Sequence, residues 1–201
     1  MPTVLHMARP KEFDPSEAMK EAMGAFWENG YHATSVNNLL SEMKLNRGSL
    51  YDTFGDKKTL FLAALAEYER QARVAFAELL DKPGSAKAAI RHWAAAAADL
   101  CTGDAGQRGC LGLKAAVEMA PHDPEVAAWV REVTRERELL VAKVIKRGQS
   151  DGEISDRLDA RVVARYLLTC LAGLKIMGVS SPSAREVREV VSLILLVLDK
   201  A

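Results

Sequence analysis

Three cysteines, Cys101, Cys110 and Cys170, are an odd number without paired spacing, which argues against a disulfide framework and points to a reducing compartment. The four histidines, His6, His32, His92 and His122, have no ligand spacing among them, so no metal is expected. Nucleophile elbow, phosphate loop and paired-cysteine motif are all missing, and the glycines are scattered at helix ends. Neither an enzyme nor a cofactor is therefore expected. The longest strictly aliphatic run, Leu193 to Leu198, is far short of the roughly 20 residues that cross a bilayer. With no charged-then-apolar leader pattern either, the expectation is a cytoplasmic chain without a membrane partner. Net charge is also lacking: Lys plus Arg number 27, and so do Asp plus Glu. Within residues 1 to 60, seven basic side chains face eight acidic ones, so any nucleic-acid reading must rest on where the positive charges sit.

What is present is helical patterning over 201 residues, 49 % of them hydrophobic, ample for a packed core, with no strand alternation and no internal repeat. Asp14-Pro15-Ser16-Glu17 is a strong helix start, followed by Met19, Ala22, Met23, Phe26 and Trp27 on one face and an end at Asn29-Gly30. Ser35 then caps a short helix buried through Val36, Leu39, Leu40 and Met43. Leu45 breaks the phase, and Asn46 caps a second short helix buried through Leu50 and Phe54. Arg47, Ser49, Tyr51, Asp52 and Thr53 remain on or near its exposed side. Two short helices across a tight turn, the second small, polar outside and led by arginine, make a helix-turn-helix suited to a major groove. Arg47, Ser49 and Thr53 are the candidates for base edges, since a guanidinium can pair both acceptors of a guanine and a hydroxyl is a weaker reader. Gly48 is costly inside a helix, and close approach to DNA or to a neighbouring helix would explain it. Arg9 and Lys11 precede the first helix, as a phosphate-reaching arm or a solvated tail, and residues 1 to 6 are read as an extension before a second start at Met7.

This stretch resembles the DNA-binding domain of the TetR family of transcriptional regulators. The matching residues are Phe26, Gly30, Tyr31, Thr34, Ser35, Arg47-Gly48-Ser49-Leu50-Tyr51, Phe54, Lys57 and Leu60-Phe61. The resemblance implies an all-α chain, with an N-terminal arm and helix-turn-helix domain over 1–56 and a helical effector-binding and dimerisation domain over 57–201. It further implies phosphate contacts from Tyr51 and Lys57, and it favours them for Thr34 and Ser35, where plain capping is the competing role. The partners implied are double-stranded DNA, a small-molecule effector and a second copy of the chain.

Asp56 caps a long helix from Lys57 to about Leu80, placing Lys57 and Lys58 where the helix dipole disfavours cations and a phosphate would offset the repulsion. That helix reaches from the DNA side into the remainder, a route by which a distant ligand alters the reading helix. Further helices are expected over 85–101, 110–119, 124–147 and from Asp159, with a last one opened by the Ser183–Glu186 capping box. Thr102 to Gly109 is expected as a flexible loop and Gly148 to Gly152 as a break. The last two helices carry more apolar surface than one neighbour covers, which predicts a two-fold four-helix interface and a palindromic operator.

Trp93, Trp129, Met119, Tyr166 and Met177 are available to line an apolar pocket or to serve as ordinary core. Cys110 begins a short helix directly after Arg108-Gly109, and a helix N-terminus and a guanidinium both favour thiolate. The Arg-Gly-Cys-Leu segment resembles a branch of the family that includes electrophile and oxidant sensors; a buried inert cysteine is the alternative. The expected function is a one-component regulator of the repressor type. A helical ligand-binding or scaffold protein that no longer reads DNA is the alternative, distinguished by the salt dependence of DNA binding.

Overall fold

Nearly every helix in this chain starts where a short polar side chain can hold N–H groups that have no partner inside the helix. Asp14 opens α1 (Pro15–Ala33), Ser35 opens α2 (Val36–Glu42) and Asn46 opens α3 (Arg47–Phe54). Asp56 opens α4 (Lys57–Leu80) and Ser85 opens α5 (Ala86–Asp99). After α6 (Gly103–Arg108) and α7 (Leu111–Glu118), whose starts carry no side-chain cap bond, Asp123 opens α8 (Pro124–Ser150). Asp159 opens α9 (Ala160–Met177), and Ser183 with Glu186 forms the reciprocal cap of α10 (Ala184–Ile194). Single 3₁₀ turns follow α9 at Gly178–Ser180 and α10 at Leu195–Leu198. The structure, a computed structural model, describes residues 13–81, 83–180 and 182–200, and no strand occurs among the described residues. The expected arm with Arg9 and Lys11, and the extension over 1–6, lie outside them.

The helices bury two cores. One gathers the end of α4, α5, the second half of α8, α9 and α10 around Ile90, Trp93, Val141, Ile145, Leu167, Leu171 and Leu198. The other is centred on Phe26, Leu39, Leu50, Leu60, Phe61 and Leu65 of α1 to α4, with Phe26 and Phe61 edge to face at 5.0 Å. Leu111 and Ala115 of α7, Met119 at its end and Val126 of α8 complete this second core from far along the chain.

Several local expectations are corrected. The helical backbone of α1 does break at Gly30, as expected, at φ 79° and ψ −179°, but one further turn follows to Ala33. The expected loop after Thr102 is largely α6, and its glycines have separate uses. Gly103 and Gly109 take positive φ at its ends, whereas a Cβ on Gly106 would lie 2.5 Å from the Cys101 carbonyl oxygen. Gly148 does not end α8 but lies inside it, where a Cβ would come within 2.6 Å of Ile154 Cδ1. The stretch Ala160–Ser180, which the aliphatic-run criterion overlooked, is long and apolar enough to cross a membrane by length and composition alone. One side of α9 instead packs Val163, Leu167, Leu171 and Leu174 into the core, while Arg161 and Arg165 bond Glu138 of α8.

Candidate nucleic-acid interface and effector cavity

Helix α3 is fixed by Leu50, fully buried, and by Asn46, whose side-chain oxygen accepts the Ser49 N–H at 2.8 Å. Its outer side is thereby held at a set angle. Arg47, Tyr51 and Asp52 are exposed, and Ser49 and Thr53 are half-buried beside them. Arg47 is not free in solvent: its Nη2 donates to Asn37 Oδ1 of α2 at 3.1 Å, which aims the guanidinium before any ligand arrives. Asn37 was missed by sequence reasoning, because only the packing of α2 across α3 brings the two together. Gly48 has no crowding helix beside it; a Cβ would meet only Asn46 Oδ1, at 3.3 Å. Of the two expected explanations, the neighbouring helix is thus removed. The turn between α2 and α3 puts Lys44 at φ 53°, a left-handed conformation that a side chain makes costly.

Ser35 is exposed and works as a cap: its Oγ accepts the Asn38 N–H at 3.1 Å, and the Asn38 side chain accepts the Ser35 N–H at 3.2 Å. Thr34 corrects an expectation. Its hydroxyl is buried and donates at 2.6 Å to the Gly30 carbonyl, so this oxygen serves the α1 break and does not face a phosphate.

At the start of α4, Asp56 accepts the Thr59 N–H at 2.8 Å, and that bond holds its carboxyl below the usual carboxylate range. The two lysines at this dipole end find different partners. Lys58 donates to Asp123 at 2.7 Å and lies 3.3 Å from Glu125, so the start of α8 answers its charge. Lys57 lies over the Tyr31 ring, 4.3 Å from its centroid, and burial lowers its pKa. No carboxylate is in ion-pair contact with Lys57 among the described residues, although the Glu118 charge acts on it from farther away.

A cavity of about 210 Å³ opens between α4, α5, α7 and α9, lined among others by Tyr68, Phe76, Trp93, Cys110, Leu113, Arg137 and Lys175. Phe76 and Trp93 meet edge to face at 5.4 Å and make one wall. Arg137 pairs with Glu69, whose carboxyl burial nevertheless pushes upward. Cys110, 8 % exposed, is the N-cap residue of α7, and its sulfur lies 3.3 Å from the Tyr68 hydroxyl. Burial, reinforced by the neighbouring thiol, pushes the Tyr68 phenol up, so it stays protonated and able to donate to sulfur. A second, almost wholly apolar cavity of about 300 Å³ lies across Cys110, between α7 and the end of α9.

Three expected site residues lie elsewhere. Arg108 does not serve the thiol: its guanidinium stacks on Trp27 at 4.2 Å and donates to the Gly24 carbonyl at 3.3 Å, both on α1. Trp129 packs against the N-terminal core beside Gly112, drawn there by the start of α8. Tyr166 is 43 % exposed, on the side of α9 that faces away from the core. Trp93 does line the cavity. Cys101 donates its thiol to the Ala97 carbonyl at 3.1 Å, and burial raises its pKa.

Comparison with known proteins agrees with this geometry. Residues 18–64 match the model of bacterial regulatory proteins of the tetR family, and residues 86–191 match a tetracyclin repressor-like C-terminal domain. The uncharacterized HTH-type transcriptional regulator YezE of Bacillus subtilis is 32 % identical over 96 % of this chain and 100 % of its own. The HTH-type transcriptional repressor ComR of Escherichia coli is 27 % identical over 90 % of this chain and 87 % of its own. Among solved structures, a cysteine-substituted form of the TetR family regulator CifR, complexed with 26-base-pair operator DNA, superimposes with a TM-score of 0.85. It is 29 % identical, covering 96 % of this chain and all of that one. With a helix-turn-helix whose arginine is already aimed, a helical domain holding a cavity, and both parts matched by family models, this chain belongs to the TetR family of DNA-binding transcriptional regulators.

Proposed function

We propose that the chain is a repressor that binds a palindromic operator as a homodimer and leaves it when the helical domain takes up an effector or when Cys110 is modified. The observation that carries this reading is the position of Cys110. It caps α7, borders both cavities, and bonds Tyr68 of α4, the helix whose first residue is Lys57. An adduct on that sulfur, or a ligand filling the cavity beside it, pushes on α4 and α7 together, and the spacing of paired reading helices follows. Arg47, Ser49, Thr53, Tyr51 and Lys57 would make the DNA contacts, with Ser35 presenting the start of α2. Support for the homodimer comes from the apolar side chains left exposed at the chain's end: Val162, Ile176 and Met177 of α9, and Val190, Leu193 and Leu196 of α10 and its 3₁₀ turn. A second copy of the chain packed on this end would take these side chains out of water. The relative CifR, complexed with operator DNA, supports the DNA-binding part of this reading.

The test is a mobility shift on a duplex selected from random DNA, at two salt concentrations, with and without N-ethylmaleimide. The expected result is a salt-sensitive complex that alkylation dissolves in the parent and not in Cys110→Ser. Release that persists in Cys110→Ser removes the thiol from the reading and leaves the cavity; no complex at low salt defeats the repressor assignment.

A further inference from the structure

At Gly30 the α1 helix breaks, and the break exposes two sets of backbone groups: the last carbonyls of the helix proper and the first N–H groups of the turn beyond. Both sets are met by one other element, α7. The Glu118 carboxylate accepts the N–H of Tyr31 at 2.9 Å and that of His32 at 2.6 Å. Lys114, one turn earlier on α7, donates to the carbonyls of Trp27 at 2.6 Å and Glu28 at 2.8 Å. An anion at the N–H end and a cation at the carbonyl end match the local dipole at each, so the register of α7 against α1 is set by charge as well as by packing. The fit leaves no slack: a Cβ on Gly30 would lie 2.6 Å from Glu118 Oε2.

Tyr31, held in this way through its backbone, carries the Lys57 ammonium on its ring and stacks with Phe26. At its other end α7 follows its N-cap residue Cys110, and Lys114 and Glu118 themselves line the 300 Å³ cavity that Cys110 also lines. The eight residues of α7 therefore join the cavity to the α1 break and to the ring on which Lys57 rests, without running along α4.

We infer that Glu118, seconded by Lys114, is a positioning residue that carries the state of the Cys110 cavities through α7 to the α1 break, and there sets where Tyr31 holds Lys57. The inference rests on the reading of Cys110 and its cavities given under Proposed function. A displaced α7 withdraws the carboxylate, the turn Tyr31–Ala33 loses its cap, and Lys57 loses its support.

The decisive experiment is a double-mutant cycle on DNA binding by the full-length chain, using a duplex selected from random DNA with the parent protein. Glu118→Ala, Glu118→Gln, Lys57→Ala and the doubles are compared as a function of salt, after sedimentation has verified the parent assembly state. Loss of Glu118 should weaken binding about three- to tenfold and shrink the log–log salt slope by about one, as loss of one phosphate contact does. Lys57→Ala should do the same, the doubles should be no worse than either single, and Glu118→Gln should fall between parent and Glu118→Ala. Additive effects, or an unchanged slope in Glu118→Gln, overturn the inference. A second measurement uses the unsubstituted chain: deuterium exchange at the Tyr31 and His32 amides should quicken when N-ethylmaleimide abolishes DNA binding. Loss of binding with those amides still protected also overturns it. If alkylation leaves DNA affinity unchanged, the thiol reading fails by itself, and the cycle alone decides the role of Glu118.

Discussion

Trp27→Phe tests the seam between α1 and the segment that carries Cys110. The indole N–H donates to the Gly109 carbonyl at 2.9 Å, the ring lies 4.2 Å below the Arg108 guanidinium, and it meets the Tyr68 ring edge to face with centroids 5.0 Å apart. Phenylalanine keeps a ring against Tyr68 but cannot donate, and a typical net hydrogen bond is worth about 1 kcal/mol. The cation–π contact, about 0.5–1 kcal/mol at a partly exposed site, survives only in part over the smaller ring. The missing ring atoms add about 0.5–1 kcal/mol of lost packing, toward the low end for a large-to-small change at a half-buried position. The expected loss is thus about 2 kcal/mol per protomer, read as a lower urea midpoint at fixed protomer concentration. A cycle with Arg108→Ala should return about 0.5 kcal/mol of coupling, since Trp27→Phe weakens the stacked pair that Arg108→Ala removes. A Trp27→Phe midpoint within about 0.5 kcal/mol of the parent, or strict additivity with Arg108→Ala, would refute the claim that this contact ties α1 to the α6–α7 junction.

Two further outcomes are expected. Lys44 sits at φ 53°, so Lys44→Asn should raise stability by about 0.5 kcal/mol, whereas Lys44→Val should lower it; equal urea midpoints would contradict the left-handed turn. Arg165 and then Arg161 bond the Glu138 carboxylate and hold its pKa below 4.5, so its contribution is fully present above that value and is lost as pH falls through the lower folded-state one. Glu138→Gln should accordingly be less stable than the parent at pH 7, with the gap closing below pH 4.5; a gap independent of pH would show that the pair contributes nothing through charge.

The parts of this molecule that the sequence made legible are those whose physics is local. A cap acts over three residues, so Asp14, Ser35, Asn46, Asp56 and Ser183 could each be read as a helix start before any packing was known. Periodicity likewise marked Leu39, Leu50 and Phe26 as core, and their burial is complete. The direction of a side chain between elements is another matter. Thr34 turns inward because the Gly30 carbonyl needs a donor, and Arg108 turns to Trp27 because α1 passes there. Asn37 and Arg47 are ten residues apart, Glu118 and Tyr31 eighty-seven. No spacing rule spans the latter distance, so the contacts that aim Arg47 and brace the α1 break required the fold. Glycines were ambiguous for the same reason: Gly30 permits a break, while Gly106 and Gly148 permit close approach, and composition alone does not separate these uses.

The shared N-terminal core has a consequence for building hybrid regulators. A chimera that joins the reading head of this chain to the sensory part of a relative at the 56/57 boundary would take more than a connector away. It would remove Leu60, Phe61 and Leu65 of α4 together with Leu111, Ala115, Met119 and Val126 from under the reading head. Such a graft keeps the alphabet of DNA recognition while removing part of the floor it stands on. The transplantable unit is therefore discontinuous in sequence: α1 to α4 travel with α7 and the first turn of α8, and whichever sensor is chosen must accept those residues as its own.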